Sequence, residues 1–211
     1  MIELAIFDVD GTLTTHSSIW WRLHEHFGTE KKGQKYFDRY FAGEIDYDQW
    51  AELDASLWKG QAIDDARELV QSSELTPGAI ETVESLRNDG VKLGIVSGGL
   101  DIAANHVGKN LGIDCVMTNR LLHRDGRITG EVDVQVGWGA KGTIIRKIAE
   151  HFDVSLEHTA YIGDGRNDVS AFSHVGLSIA FCPEHKEVAD AADVVISEND
   201  LRLILPWISD T

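Results

Sequence analysis

Three short apolar runs of strand type, Ile2–Phe7, Val91–Val96 and Thr159–Ile162, each end in a loop of glycines and chemistry-bearing side chains. The first opens D-V-D-G-T at Asp8–Thr12, the second S-G-G at Ser97–Gly99, the third G-D-G-R-N-D at Gly163–Asp168. Ligands in open α/β sheets sit just beyond the carboxyl ends of the strands. One such sheet would gather aspartates, a serine, an asparagine and several glycines into a single crevice. Carboxylates there can hold a hard cation, and glycines let backbone N–H groups approach an anion. That combination is the chemistry of phosphoryl transfer.

The rest of the chain fits this architecture. From about Ser17 to Ser73 no strand signal occurs, and helices are predicted at Ile19–Phe27, Gln34–Phe41, Asp46–Trp58 and Asp64–Gln71. Gly28, Gly43 and Gly60 punctuate them, and Asp46 and Asp64 are candidate N-caps. After Thr76-Pro77-Gly78, helix and strand patterns alternate: Ala79–Asn88, the strand to Val96, Ile102–Leu111 and a short strand at Cys115–Met117. Lys141–Phe152, the strand to Ile162, a helix from Asp168, and strands at Leu177–Phe181 and Val194–Ile196 follow. Alternation of this kind reads as βαβ units around a parallel sheet. Arg120–Leu122 and Ile128–Val136 flank Asp125-Gly126, a hairpin signal, and predict a small antiparallel flap.

At 211 residues the chain can bury one sizeable core and a small second domain. The formal net charge of -16 argues against nucleic acid or an anionic membrane surface as partner. Such acidity suits a salt-rich host or simply solubility. Cys115 and Cys182 lie in or just after apolar runs and read as buried free thiols. The first residues carry no basic region ahead of an apolar stretch, and no apolar run reaches the roughly 18 residues of a membrane span. A cytoplasmic protein is the expectation.

Each motif has a bland reading as well. Asp8 and Asp10, spaced by Val9 around a turn at Gly11, can divide the work of carboxylate nucleophile and general acid/base, or be an acidic turn. Ser97-Gly98-Gly99 read alone is an ordinary strand-to-helix turn. Lys141 heads a helix, where a cation opposes the dipole, but a surface lysine is the default. Asp164 between glycines, with Asn167-Asp168 opening a helix, is the most specific signal for a cation or phosphate loop. His16, His24 and His26 lie in the helical insertion without zinc-ligand spacing. Trp20, Trp21, Trp50 and Trp58 form either the core of that insertion or a substrate-pocket wall.

With Lys141 between them, these motifs in this order and with a helical insertion after the first resemble the haloacid dehalogenase superfamily, and within it the phosphoserine phosphatase branch. Val96-Ser97-Gly98-Gly99-Leu100-Asp101-Ile102-Ala103, Asn119-Arg120-Leu121, Ala140-Lys141-Gly142 and Ala180-Phe181-Cys182 extend the likeness over nearly the whole chain. The resemblance implies a Rossmann-like, doubly wound, mainly parallel sheet in residues 1–14 and 76–211, with a helical-bundle cap in 15–75. It implies that Asp8 becomes an aspartyl phosphate and that Asp10 protonates the leaving alkoxide and then activates water. Mg²⁺ would be held by the Asp8 carboxylate, the Asp10 backbone carbonyl and Asp164, with Asp168 orienting a metal-bound water or Lys141. Ser97, Gly98, Lys141 and Asn167 would bind the transferring phosphoryl oxygens. The implied partner is a small phosphorylated metabolite, and the implied assembly a monomer or homodimer.

Three rivals to a phosphatase stand beside this: a phosphotransferase passing the group to a second alcohol, a binding module, and a dehalogenase. Intact motif residues argue against the second, and Asp10 and Asp164 against the third. The substrate groups depart from the branch. Ser17 falls where the resemblance expects a glutamate for the substrate ammonium, and Asp54 where it expects an arginine for the carboxylate. An aspartate there repels a carboxylate. L-Phosphoserine is therefore expected to be a poor substrate. A neutral or cationic phosphomonoester, partly apolar against the tryptophans, is expected to be better unless Arg22 or Arg39 compensates.

Overall fold

The structure is a computed structural model that describes residues 1–16 and 18–209. Its centre is β1 (Leu4–Phe7), whose four side chains are all fully buried. Period-two alternation sends Ala5 and Phe7 to one face of the sheet and Leu4 and Ile6 to the other. Both faces are covered, so the strand is apolar throughout, as parallel strands are.

The chain leaves β1 into four helices: α1 (Ile19–Phe27), α2 (Glu30–Phe41), α3 (Tyr47–Leu57) and α4 (Ile63–Gln71). It returns through α5 (Ala79–Asn88), β2 (Lys92–Leu100), α6 (Asp101–Leu111), β3 (Cys115–Arg124) and β4 (Arg127–Asp133). Then come α7 (Lys141–Phe152), β5 (Thr159–Gly163), α8 (Val169–Phe172), β6 (Leu177–Phe181), α9 (Lys186–Ala191), β7 (Val194–Ile196) and α10 (Leu205–Ile208).

The seven strands lie in the order β4-β3-β2-β1-β5-β6-β7, parallel except for the antiparallel β3–β4 pair. The winding reverses beside β1, with β2 on one flank and β5 on the other. Phe7 is in register with Ile95 of β2 and Ile162 of β5, so Asp8, Ser97 and Asp164 emerge at one edge. That edge is the crevice of a doubly wound sheet.

Side chains of α5 and α6, with Ile204 and Ile208, pack on the Ala5/Phe7 face; those of α7, with Phe172 and Val188, pack on the other. A third apolar cluster joins Ile19, Leu23, Trp58, Ile63 and Val70 of the helical segment to Leu100, Ala103, Leu121 and Ile128. Among the described residues, no helix is long and apolar enough to cross a membrane.

Several expectations are corrected. Asp46 does cap α3, in a capping box with Gln49, but the N-cap of α4 is Ala62, and Asp64 sits in its first turn. α2 begins at Glu30 rather than Gln34, running through Gly33. β2 continues to Leu100, and the short strand at Cys115 runs on into the hairpin as one strand. The antiparallel hairpin expected around Asp125-Gly126 is present as β3–β4, and Gly60 N–H donating to Ile128 O (2.8 Å) and Ile63 N–H to Gly126 O (3.0 Å) tie it to the helical segment. The two free cysteines are half-buried rather than buried. Helices α9 and α10 were not expected, being too short to show a period.

Candidate active site

Asp8 continues β1 by one residue, and its N–H donates to Ile162 O (2.9 Å). Its Oδ1 accepts from Val9 N–H (2.8 Å), and Lys141 Nζ stands 2.9 Å from its Oδ2. Lys141 is not a surface lysine: it is 1% exposed. α7 begins with this residue and points it into the crevice, where it also reaches Asp168 Oδ1 at 2.5 Å. Burial opposes its charge, but Asp168 and Asp8 together outweigh burial and hold its pKa above the ordinary lysine value.

Asp168 is fully buried and saturated. Besides Lys141, Tyr161 OH donates to its Oδ1 (2.6 Å), and the N–H groups of Asp164 and Gly165 donate to its Oδ2 (3.0 and 2.9 Å). Asp164 is linked to the first loop by Thr12 Oγ1, which donates to its Oδ1 (2.8 Å). Gly11, at φ 83, makes that approach possible, since a side chain there would run into the Asp164 carboxylate.

Asp8, Asp164 and Asp168 each offer an oxygen within 4.8 Å of the others, a grouping that could hold a metal ion. Burial raises the Asp8 pKa well above the carboxylate range, with Asp168 and Asp164 adding to the rise against Lys141. Burial, then Asp168, lifts Asp164 to about 7. The Asp10 carboxylate is not in this grouping. Its Oδ2 accepts from Ile19 N–H at the start of α1 (2.9 Å), and burial lifts its pKa to about 6.

The second loop is held from behind. Ser97, 2% exposed, accepts from Gly99 N–H through its Oγ (2.9 Å). The Gly98 carbonyl accepts from Trp20 Nε1 (3.0 Å), Asn119 Nδ2 (3.0 Å) and Tyr47 OH (3.2 Å), which fixes the orientation of that peptide. A Cβ on Gly98 would lie 3.8 Å from Asn167 Nδ2, so the second and last loops face each other.

Asp8, Asp10, Ser97, Gly98, Lys141, Asp164 and Asn167 all line one cavity of about 740 Å³, and Asp54 lines it too. Asp168 lies beneath, behind Lys141 and Tyr161. Ser17 lies outside the described residues. The tryptophans divide: Trp58 is core, while Trp20, Trp21 and Trp50 line the cavity.

Asp54 is 3% exposed and stands 3.3 Å from His24 Nε2. Burial raises its pKa, and the His24 ring opposes the rise. Neither Arg22 nor Arg39 lines the cavity: Arg22 donates to Leu69 O and Ser73 Oγ, and Arg39 pairs with Glu44. Sequence reasoning missed Tyr161, Tyr47, Trp138 and the His24–Asp54 pair, which carry no local signal. Thr12 stood inside the first motif with no role assigned.

The comparisons with known proteins agree with this geometry. The family model described as haloacid dehalogenase-like hydrolase matches residues 2–176. A phosphoserine phosphatase of Methanocaldococcus jannaschii is 37% identical over 207 residues, covering 98% of this chain and 97% of that protein. One from Wolinella succinogenes is 29% identical over 205 residues, covering 97% and 98%. A solved structure described as a substrate-bound phosphoserine phosphatase complex superposes with a TM-score of 0.87 at 35% identity, covering 99% of each chain. Another, of a phospho-aspartyl intermediate analogue of phosphoserine phosphatase, gives a TM-score of 0.86 at 36% identity, again covering 99% of each chain. The chain belongs to the haloacid dehalogenase-like hydrolases, as a phosphatase of the phosphoserine phosphatase-like group.

Proposed function

We propose that the chain hydrolyses a small phosphomonoester through an aspartyl phosphate on Asp8, with Mg²⁺. The observation that carries this is Asp8 itself: a buried carboxylate at the end of the central strand, 2.9 Å from the Lys141 ammonium and facing a cavity. An Asp8 oxygen attacks phosphorus, and the bond from phosphorus to the ester oxygen breaks. Asp10 gives its proton to the departing alkoxide; its pKa of about 6 keeps a protonated fraction available near neutrality. Water then attacks phosphorus, Asp10 takes a proton from that water, and the bond to Asp8 breaks to release phosphate. Lys141, Ser97 Oγ, Gly98 N–H and Asn167 hold the phosphoryl oxygens, donors set in place before charge develops.

The donor set fits a hard dication. It is all oxygen, and the raised pKa values of Asp8 and Asp164 reflect buried negative charge that a cation would relieve. Asp8, Asp164 and the Asp10 backbone carbonyl would hold it. Asp168, already accepting from four donors, positions Lys141 and the Asp164 loop. When bound, Mg²⁺ supplies charge stabilisation to the transferring phosphoryl group. Residues 15–75 serve as a cap that excludes bulk water, a reading supported by the aromatic side chains they place in the cavity.

The test is phosphate release from a phosphomonoester panel, with and without Mg²⁺ and with an added alcohol. Product shifting from phosphate to a new ester would make the chain a phosphotransferase.

A further inference from the structure

The cavity extends well past the phosphoryl end. Its volume of about 740 Å³ lies within the range for small-molecule pockets, so the leaving alcohol has substantial room. The lysine and arginine of its lining are both at the phosphoryl end: Lys141 on Asp8, and Arg166, beside Asn167, paired with Glu187. Away from that end the wall is aromatic, built from Trp20, Trp21, Phe37, Phe41, Trp50 and Trp138.

Asp54 lines the cavity with these aromatic side chains, and so does His24, its ion-pair partner. Asp54 follows Trp50 by one helical turn on α3, so the two share a face. Asp54 is 3% exposed, yet its Oδ1 has no hydrogen bond, its approach to His24 Nε2 being at ion-pair distance only. Trp50 Nε1 and His24 Nε2 both lie against this same carboxylate, neither at good hydrogen-bond geometry. Buried polar atoms are normally satisfied, and a carboxylate at the cavity wall whose two nearby donors are poorly aligned keeps acceptor capacity for a ligand group. A carboxylate acceptor among aromatic faces is complementary to an organic cation, which gains from both the charge and the ring quadrupoles. The same wall repels a carboxylate.

We infer that the leaving alcohol carries an ammonium group and no carboxylate, with Asp54 and the Trp20 and Trp50 rings as its specificity determinants. This rests on the phosphomonoesterase reading above. The substrate class is the aminoalcohol phosphates, and the aromatic wall favours an alkylated ammonium.

The test is kcat/KM of the full chain with Mg²⁺ for phosphocholine, its uncharged isostere 3,3-dimethylbutyl phosphate, and L-phosphoserine, with p-nitrophenyl phosphate as a general phosphatase control. Phosphocholine should exceed the isostere by about tenfold or more and L-phosphoserine by about a hundredfold. In Asp54→Asn the ratio of phosphocholine to isostere should collapse by about tenfold. If that variant does not fold, the wild-type ratio decides alone. An isostere turned over as well as phosphocholine would overturn the inference, leaving apolar fit as the only selector. So would L-phosphoserine as the better substrate. In both cases the phosphatase reading stands. Release of phosphate from none of the four overturns that reading and this one together.

Discussion

Lys141 and Asp168 meet 2.5 Å apart where the side chains are 1% and 0% exposed. Such a pair is held because each charge has further partners: Lys141 has Asp8, and Asp168 has Tyr161 OH and two backbone N–H groups. Removing one member strands the rest. Asp168→Ala should lower unfolding free energy by about 3–5 kcal/mol, the cost of breaking a buried ion pair. Urea denaturation measures it, and a loss below about 1 kcal/mol would mean that water or rearrangement replaces the carboxylate.

Asp8→Asn keeps an acceptor for Val9 N–H but removes the nucleophile. Turnover should fall by roughly three orders of magnitude or more while the fold persists. Mass spectrometry must show the Asn intact, because deamidation restores the enzyme. Near-normal activity in intact Asn protein would falsify the covalent route.

Chelation should stop phosphate release, and Mg²⁺ should restore it. Ca²⁺, larger and less strictly octahedral, should inhibit. Mg²⁺ should also raise Tm without substrate, because an ion that binds only the folded chain stabilises it. The readouts are a chelator titration and a thermal melt; full activity in excess chelator would remove the metal from the mechanism.

Gly33 lies in α2, where alanine would ordinarily add about 1 kcal/mol of helix stability. Here a Cβ would lie 2.6 Å from Nε2 of the buried His24 ring, so the ring and its contact with Asp54 must shift. Gly33→Ala should therefore destabilise, by about 1–3 kcal/mol as overpacking does. A variant that melts higher than wild type would show that His24 is free to move.

With a net charge of -16, self-repulsion opposes the compact state. Tm should rise with added salt over the range in which screening lengths shorten from tens of ångströms to a few. A flat or falling curve would leave self-repulsion without weight.

Local signals carried much of the fold. The bounds of α1, α5 and α7 follow from apolar periodicity, with glycine stops after α1 and α5, and those of β6 and β7 from short apolar runs, because these depend on neighbours in the chain. The boundaries that differed have non-local causes. β2 runs past Val96 because β3 pairs with it, and the hairpin tip is held by residues 60–63.

The sequence by itself determined that apolar strands would end in carboxylates, glycines, a serine and an asparagine, because strand pattern and loop chemistry are both written locally. Tertiary structure decided which of these meet and what surrounds them. Phe7 aligns with Ile95 and Ile162 only because β1 lies between β2 and β5, a strand order set by packing both faces of the sheet. Lys141 became a buried ion-pair partner, Trp58 became core while Trp50 faced the cavity, and Asp54 met His24. Each outcome depends on a partner distant in the chain, so the local pattern of residues does not carry it.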